Sequence, residues 1–184
     1  MPATEPLTVD EVAAHLRMTE AGRLADLDYI VSLINAARVL AEKLTARALI
    51  TQTWQLKLDD WQTNKIVLPR LDVQSITSIQ YVDANGATQP LASNQYTNTG
   101  LGNRIVIPSY GVTWPSLRQH VDVVTITFVA GYGAASAVPQ PIKRWMLLHI
   151  SNLFENREAL IIGAPGSKNT YSELMLDLYK VPFA

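Results

Sequence analysis

The chain has 184 residues, enough for one substantial domain or two small ones, and a domain of that size hides roughly 70% of its unfolded surface without covalent staples. Hydrophobic residues make up 48% and charged residues 17%, a globular composition whose charged share lies below the usual quarter and leaves room for apolar surface to be buried against other subunits. The 15 Lys+Arg against 16 Asp+Glu leave a net charge of -1, which offers no long-range attraction to phosphate backbones, acidic substrates or anionic lipid; zero cysteines exclude disulfides, thiolate–zinc sites and a Cys nucleophile, and fit a reducing cytoplasm.

The opening MPATEPLTVDEV has no basic segment followed by an apolar one, and no apolar run approaches the roughly 20 residues that cross a bilayer, so a soluble chain without a membrane role is expected. Thr8 and Glu11 have the spacing of a capping box, and Val9, Val12, Ala13 and Leu16 follow one helical face after it. A loop through Glu20, Ala21 and Gly22 is expected to lead into a longer helix over Asp26 to Arg47, about 33 Å long. Its stripe is Leu27, Ile30, Val31, Ile34, Ala37, Ala41, Leu44 and Ala48.

From Thr51 the period changes to two: Trp54, Leu56 and Leu58 alternate with Thr53, Gln55 and Lys57, as a half-buried strand requires. Ile66 to Leu68 and Val73 to Val82 are further strands, and the apolar parity of the second slips between Ile76 and Ile79, which places a bulge near Thr77 and Ser78. Asp83-Ala84-Asn85-Gly86 is a tight turn, so Ile79 to Val82 should pair with Ala87 to Leu91. Arg104 to Ile107 and the β-branched Val121 to Val129 complete roughly five to seven strands, a small sandwich or barrel.

Gly131 to Pro139 is a linker, and Pro141 suits the first turn of a helix over Ile142 to Arg157. That helix is apolar on more than one side: Ile142, Trp145, Met146 and Leu153 take one face, and Leu147, Leu148, Ile150 and Phe154 much of the rest. Gly163 to Asn169 reads as a flexible loop. Thr170 and Glu173 form a second capping box before the stripe Tyr171, Leu174, Met175, Leu178 and Tyr179, and Pro182 ends the helix. The expected fold class is α+β, with N- and C-terminal helices forming a platform around an inserted β-rich domain. Its expected parts are helices over 1–50, the β insert over 51–133, and helices with a docking tail over 134–184.

No nucleophile elbow, phosphate loop, paired-histidine metal motif or calcium loop is present, so no catalytic, cofactor or metal residue is assigned. Gly100-Leu101-Gly102 begins like a dinucleotide fingerprint, but Ile105 stands at the third glycine position, and the run reads as a loop between strands. His15, His120 and His149 are far apart in sequence; His149 on an apolar helix reads as a core or interface histidine. Lys143 and Arg144 read as a solvated face rather than a DNA clamp. Trp54, Trp61, Trp114 and Trp145 read as core rather than as base-stacking platforms.

The order of these elements resembles the head-tail connector (adaptor, or head-completion) family of tailed bacteriophages and prophage-derived particles. The segments that carry the resemblance are LTVDEVAAHLRM, LINAARVLAEKLTARALITQTWQLKLDDW, IVLPRLDVQSITSIQYVDANG and VTITFVAGYGAASAVPQPIKRWMLLHISNLFENREA. The most specific are the helix exit into TQTW and the run from AGYG through VPQPIK to FENRE. The resemblance implies a structural virion protein, not an enzyme, made in the host cytoplasm and placed in the neck. There it would form a ring of copies, typically twelvefold, beneath the portal protein, and meet a stopper or tail-completion protein. Double-stranded DNA would pass through the lumen without specific binding, which suits a near-neutral chain. Portal docking is expected of Tyr171, Leu174, Leu178 and Phe183, and subunit packing of Trp145, Leu148 and Phe154. Two competing readings are a neck stopper or tail-completion protein, and a small hydrolase or ligand-binding domain built on residues such as Asp59, Asp60 and His120.

Overall fold

The computed structural model describes residues 2, 4–62, 64–156 and 170–180, of which 170–173 are described by their backbone alone. The chain divides into two compact units, one spanning Thr51–Tyr132 and the other formed by Pro2–Ile50 together with Gly133–Ala184.

The second unit is helical. Helix α1 (Val9–His15) starts at Thr8, whose hydroxyl accepts from the Glu11 amide at 3.1 Å while the Glu11 carboxylate accepts from the Thr8 amide at 2.7 Å. It buries Val12 and Ala13. The stretch expected to be a loop at Glu20 to Gly22 is a short helix, α2 (Glu20–Ala25). The Thr19 hydroxyl accepts from the Gly22 amide, and Arg23 pairs with Glu20 on the same helix and with Asp10. A cap and an i,i+3 ion pair outweigh the glycine there.

Helix α3 (Leu27–Thr45) ends where Ala46 turns to positive φ, +53°. Its buried arc is Ile30, Leu33, Ile34, Ala37, Arg38, Ala41, Glu42 and Thr45. Val31 and Leu44 lie towards the two edges of that arc and Leu27 in the first turn of the helix, and all three remain exposed. Two charges occupy the arc itself. Arg38 donates to Glu42 at 3.0 Å and to Glu5 at 2.8 Å, and Glu42 accepts from the Leu49 amide at 2.9 Å. The pairing supplies what a buried charge requires.

Helix α4 (Gln140–Glu155) has Pro141 in its first turn and buries Ile142, Lys143, Trp145, Met146 and Ile150. Lys143, expected on a solvated face, is buried with its ammonium 3.9 Å from Glu11, whereas its neighbour Arg144 is exposed. One helical position separates the two, which is a turn of about 100°. Helix α5 (Thr170–Asp177) lies against both α3 and α4 and buries Leu176 completely. The expected loop at Gly163 to Asn169, the capping side chains of Thr170 and Glu173, and Pro182 lie outside the described residues.

The first unit holds β1 (Gln52–Leu58), β2 (Ile66–Val67), β3 (Val73–Val82), β4 (Thr88–Pro90), β5 (Tyr96–Thr99), β6 (Ile105–Pro108) and β7 (Val124–Ala130). They form an antiparallel sheet in the order β1-β7-β3-β4 and a second one in the order β2-β6-β5. Ile66, Leu68 and Val106 share one core with Val73, Ile79, Val124, Ile126 and Phe128, so the two sheets make a small sandwich. Register slips between Ile76 and Ser78, at the expected bulge, and again between Val73 and Ser75. Each slip inserts one unpaired residue and restores the inward parity. Val82 pairs with Thr88 across the turn at Gly86, φ +87°, while the Asp83 carboxylate accepts from the Asn85 and Ala87 amides and from Gln89. These donors hold its pKa below the usual carboxylate value, the Gln89 bond most.

Strand β5, YTNT, has no apolar alternation and exists because β6 pairs with it from Tyr96↔Pro108 to Thr99↔Ile105. The Gly100-Leu101-Gly102 run is the turn between these strands. Gly102 has φ +62°, and a Cβ there would meet the Asp72 amide nitrogen at 2.7 Å, so its glycine serves close backbone approach.

Candidate functional site

Asp59 accepts from the Asp122 amide and Asp60 from the Gln62 amide, both within loops, and the His120 ring contacts the neighbouring Val121 carbonyl. Asp59 thus ties its loop to the one at Asp122, and Asp60 and His120 contact only near neighbours in sequence among the bonds described. Among the described residues, no group of three or more His, Asp or Glu is arranged to hold a metal, and no helix is long and apolar enough to cross a membrane. Trp61 is buried, stacked on Trp114 at 4.7 Å and near Tyr81 at 5.8 Å, with its indole N–H donating to Pro115. Trp54 lies on the core face beneath the Arg70 guanidinium, 4.4 Å from the ring centroid. All three are taken up by the β core.

In the helical unit, α3, α4 and α5 border a groove of about 640 Å³. Leu40 and Leu44 of α3 form one wall, Trp145, Leu148 and His149 of α4 the other, and Leu176 the floor. Asn152, Glu155 and Lys180 form the polar part of the rim. The side chains converge because Trp145, Leu148, His149 and Asn152 repeat at three and four residues along α4. Trp145 is only 5% exposed; its ring stacks on His149 with centroids 5.1 Å apart and planes within 7°. Burial in this apolar setting lowers the His149 pKa below 6.5, so the ring is neutral at pH 7.

Of the residues assigned to subunit packing, Trp145 and Leu148 meet in the groove. Phe154 does not: it is half-buried against Tyr29, ring centroids 5.9 Å apart, where the Tyr29 hydroxyl also donates to the Leu153 carbonyl. Of those assigned to docking, Leu174 and Leu178 are four residues apart and stand 57% and 90% exposed. They project from the side of α5 opposite Leu176. The Tyr171 side chain and Phe183 lie outside the described residues. Leu40 and Leu176, which complete the groove, carry no distinguishing mark in the sequence. The available signal was the width of the apolar arc on α3, too broad for one packed face.

No family model matches the chain, and no curated protein matches it in sequence. Solved structures do match. A chain from the neck of an empty gene transfer agent particle, computed with sixfold symmetry, is 26% identical over 97% of this chain and 91% of its own, with a TM-score of 0.81. A chain from the virion of the native gene transfer agent particle is 25% identical over 100% and 96%, TM-score 0.77. One from the native neck computed with twelvefold symmetry is 24% identical over 100% and 97%, TM-score 0.71. The likeness spans both units, so the chain is similar over its length to chains of the neck and virion of a gene transfer agent particle. This likeness agrees with the resemblance to the head-tail connector family that the sequence segments carry.

Proposed function

We propose that this protein is the adaptor of a phage-like neck, a structural subunit that forms a ring beneath the portal and encloses the path of the DNA. The observation that carries the reading is the match to a neck chain over nearly the full length of both proteins, at 26% identity. The sixfold symmetry of that neck is support for copies repeated about an axis, and a ring of twelve satisfies it.

The exposed Leu174 of α5 and Leu178 in the turn after it, with Tyr171 and Phe183, are the portal contact; the groove holding Trp145 and Leu148 is a subunit contact, to which Phe154 also belongs. A net charge of -1 suits a wall along which DNA must slide rather than bind. The test is to mix the purified chain with its portal and image the product by electron microscopy. A ring seated on the portal is expected, with L174D/L178D losing it at unchanged melting temperature. Binding only to a portal that already carries another ring would make the protein a stopper, and no binding to any neck component would refute the reading.

A further inference from the structure

Among the described residues, two apolar patches of the helical unit have no partner within it. One is the groove. The other is a stripe formed by Leu24 on α2 with Leu27 and Val31 on α3, exposed by 59%, 38% and 47%. At 3.6 residues per turn, Val31 lies towards one edge of the buried arc of α3 and Leu40 and Leu44 towards the other, about 160° away and about 17 Å along the axis, while Leu27 is exposed at the first turn of the helix. A patch and a receptor on opposite flanks of one body cannot satisfy each other within a copy. They also cannot make a two-fold dimer from a single contact, but they can repeat head to tail and close into a ring.

The charges beside the patches are complementary. Exposed Asp28 sits about 60° from Val31 towards the solvent side, and exposed Lys43 about 60° from Leu40 towards the same side. A stripe laid into the groove of the next copy brings the acidic edge of one against the basic edge of the other, where opposite charges set orientation and like charges penalise the wrong register.

We infer that the groove lined by Leu40, Leu44, Trp145 and Leu148 receives the Leu24–Leu27–Val31 stripe of a second copy, with Asp28 facing Lys43. The inference rests on the ring reading above and supplies the other half of its subunit contact. The chain has no cysteine, so introduced thiols report the contact cleanly. Val31 and Leu44 are both exposed, so a V31C/L44C chain should keep the parent's melting temperature. Treated with a short bis-maleimide on the portal, it should give a ladder of covalent multimers. V31C/V39C, whose second thiol lies outside the groove, should give at least about tenfold less, since a short linker joins only sites held close together. K43E should abolish the ladder, and D28K added to K43E should restore it.

Rings visible by microscopy without a V31C/L44C ladder, or with equal linking of V31C/V39C, would overturn this contact and leave the adaptor reading standing. Absence of both rings and ladder would overturn the two together.

Discussion

Replacing Glu42 by alanine tests whether the charges inside α3 hold the platform together. In the native unit the Arg38 and Glu42 side chains are 4% and 5% exposed. One Glu42 oxygen faces Arg38 at 3.0 Å and the other accepts from the Leu49 amide at 2.9 Å. Removing the carboxylate leaves Arg38 with Glu5 as its acidic partner, at 28% exposure, and takes the acceptor from an amide on a fully buried residue. Breaking a buried ion pair by removing one partner costs about 3–5 kcal/mol, a large part of the roughly 5–15 kcal/mol that stabilises a domain. Urea unfolding followed by circular dichroism at the helical band measures the loss. R38M/E42L removes both charges and should recover part of the stability; it still leaves the Leu49 amide unpaired, at about 1–3 kcal/mol. A loss below about 1 kcal/mol in E42A, or a double variant less stable than E42A, would refute the reasoning.

In the β unit, F128A should cost about 3–5 kcal/mol by opening a cavity at a residue with no exposed surface, read as a lower urea midpoint in the tryptophan emission. T8A should cost about 1 kcal/mol, seen as a small fall in melting temperature, because the Glu11 amide loses its acceptor. His149 has a folded pKa below 6.5, so as pH falls the unfolded chain takes the proton first. The stability it contributes is intact above pH 6.5 and drains away as pH drops through the folded value. Glu155 and Lys180 are the charged groups on the same rim. Thermal melts at pH 7.5 and 5 should therefore converge in H149Q relative to the parent, and an unchanged gap would refute the assignment.

The elements written in local chemistry were legible: the capping box at Thr8, the two-residue period from Trp54, the parity slip near Thr77, the Asp83–Gly86 turn and Pro141 in a first turn. Each is decided by residues within a few positions of one another. The short helix at Glu20 was missed because Gly22 argues against it and the stabilising Arg23–Asp10 contact comes from another element. Strand β5 was missed because YTNT is polar and is ordered by β6 alone. Lys143 was placed on the wrong side for the same kind of reason: only the approach of α1 brings Glu11 to it.

The site divides along the same line. That α4 is apolar on more than one side, and that Leu174 and Leu178 share a face, follows from helical spacing and could be read directly. Which apolar side chains fill their own unit and which stay exposed was decided by packing: Phe154 turned to Tyr29, Trp145 to His149, while Leu24, Leu27 and Val31 were left outside. Periodicity along one helix fixes direction about its axis, but burial depends on how many neighbours approach it and from where, and those neighbours come from parts of the chain more than a hundred residues away.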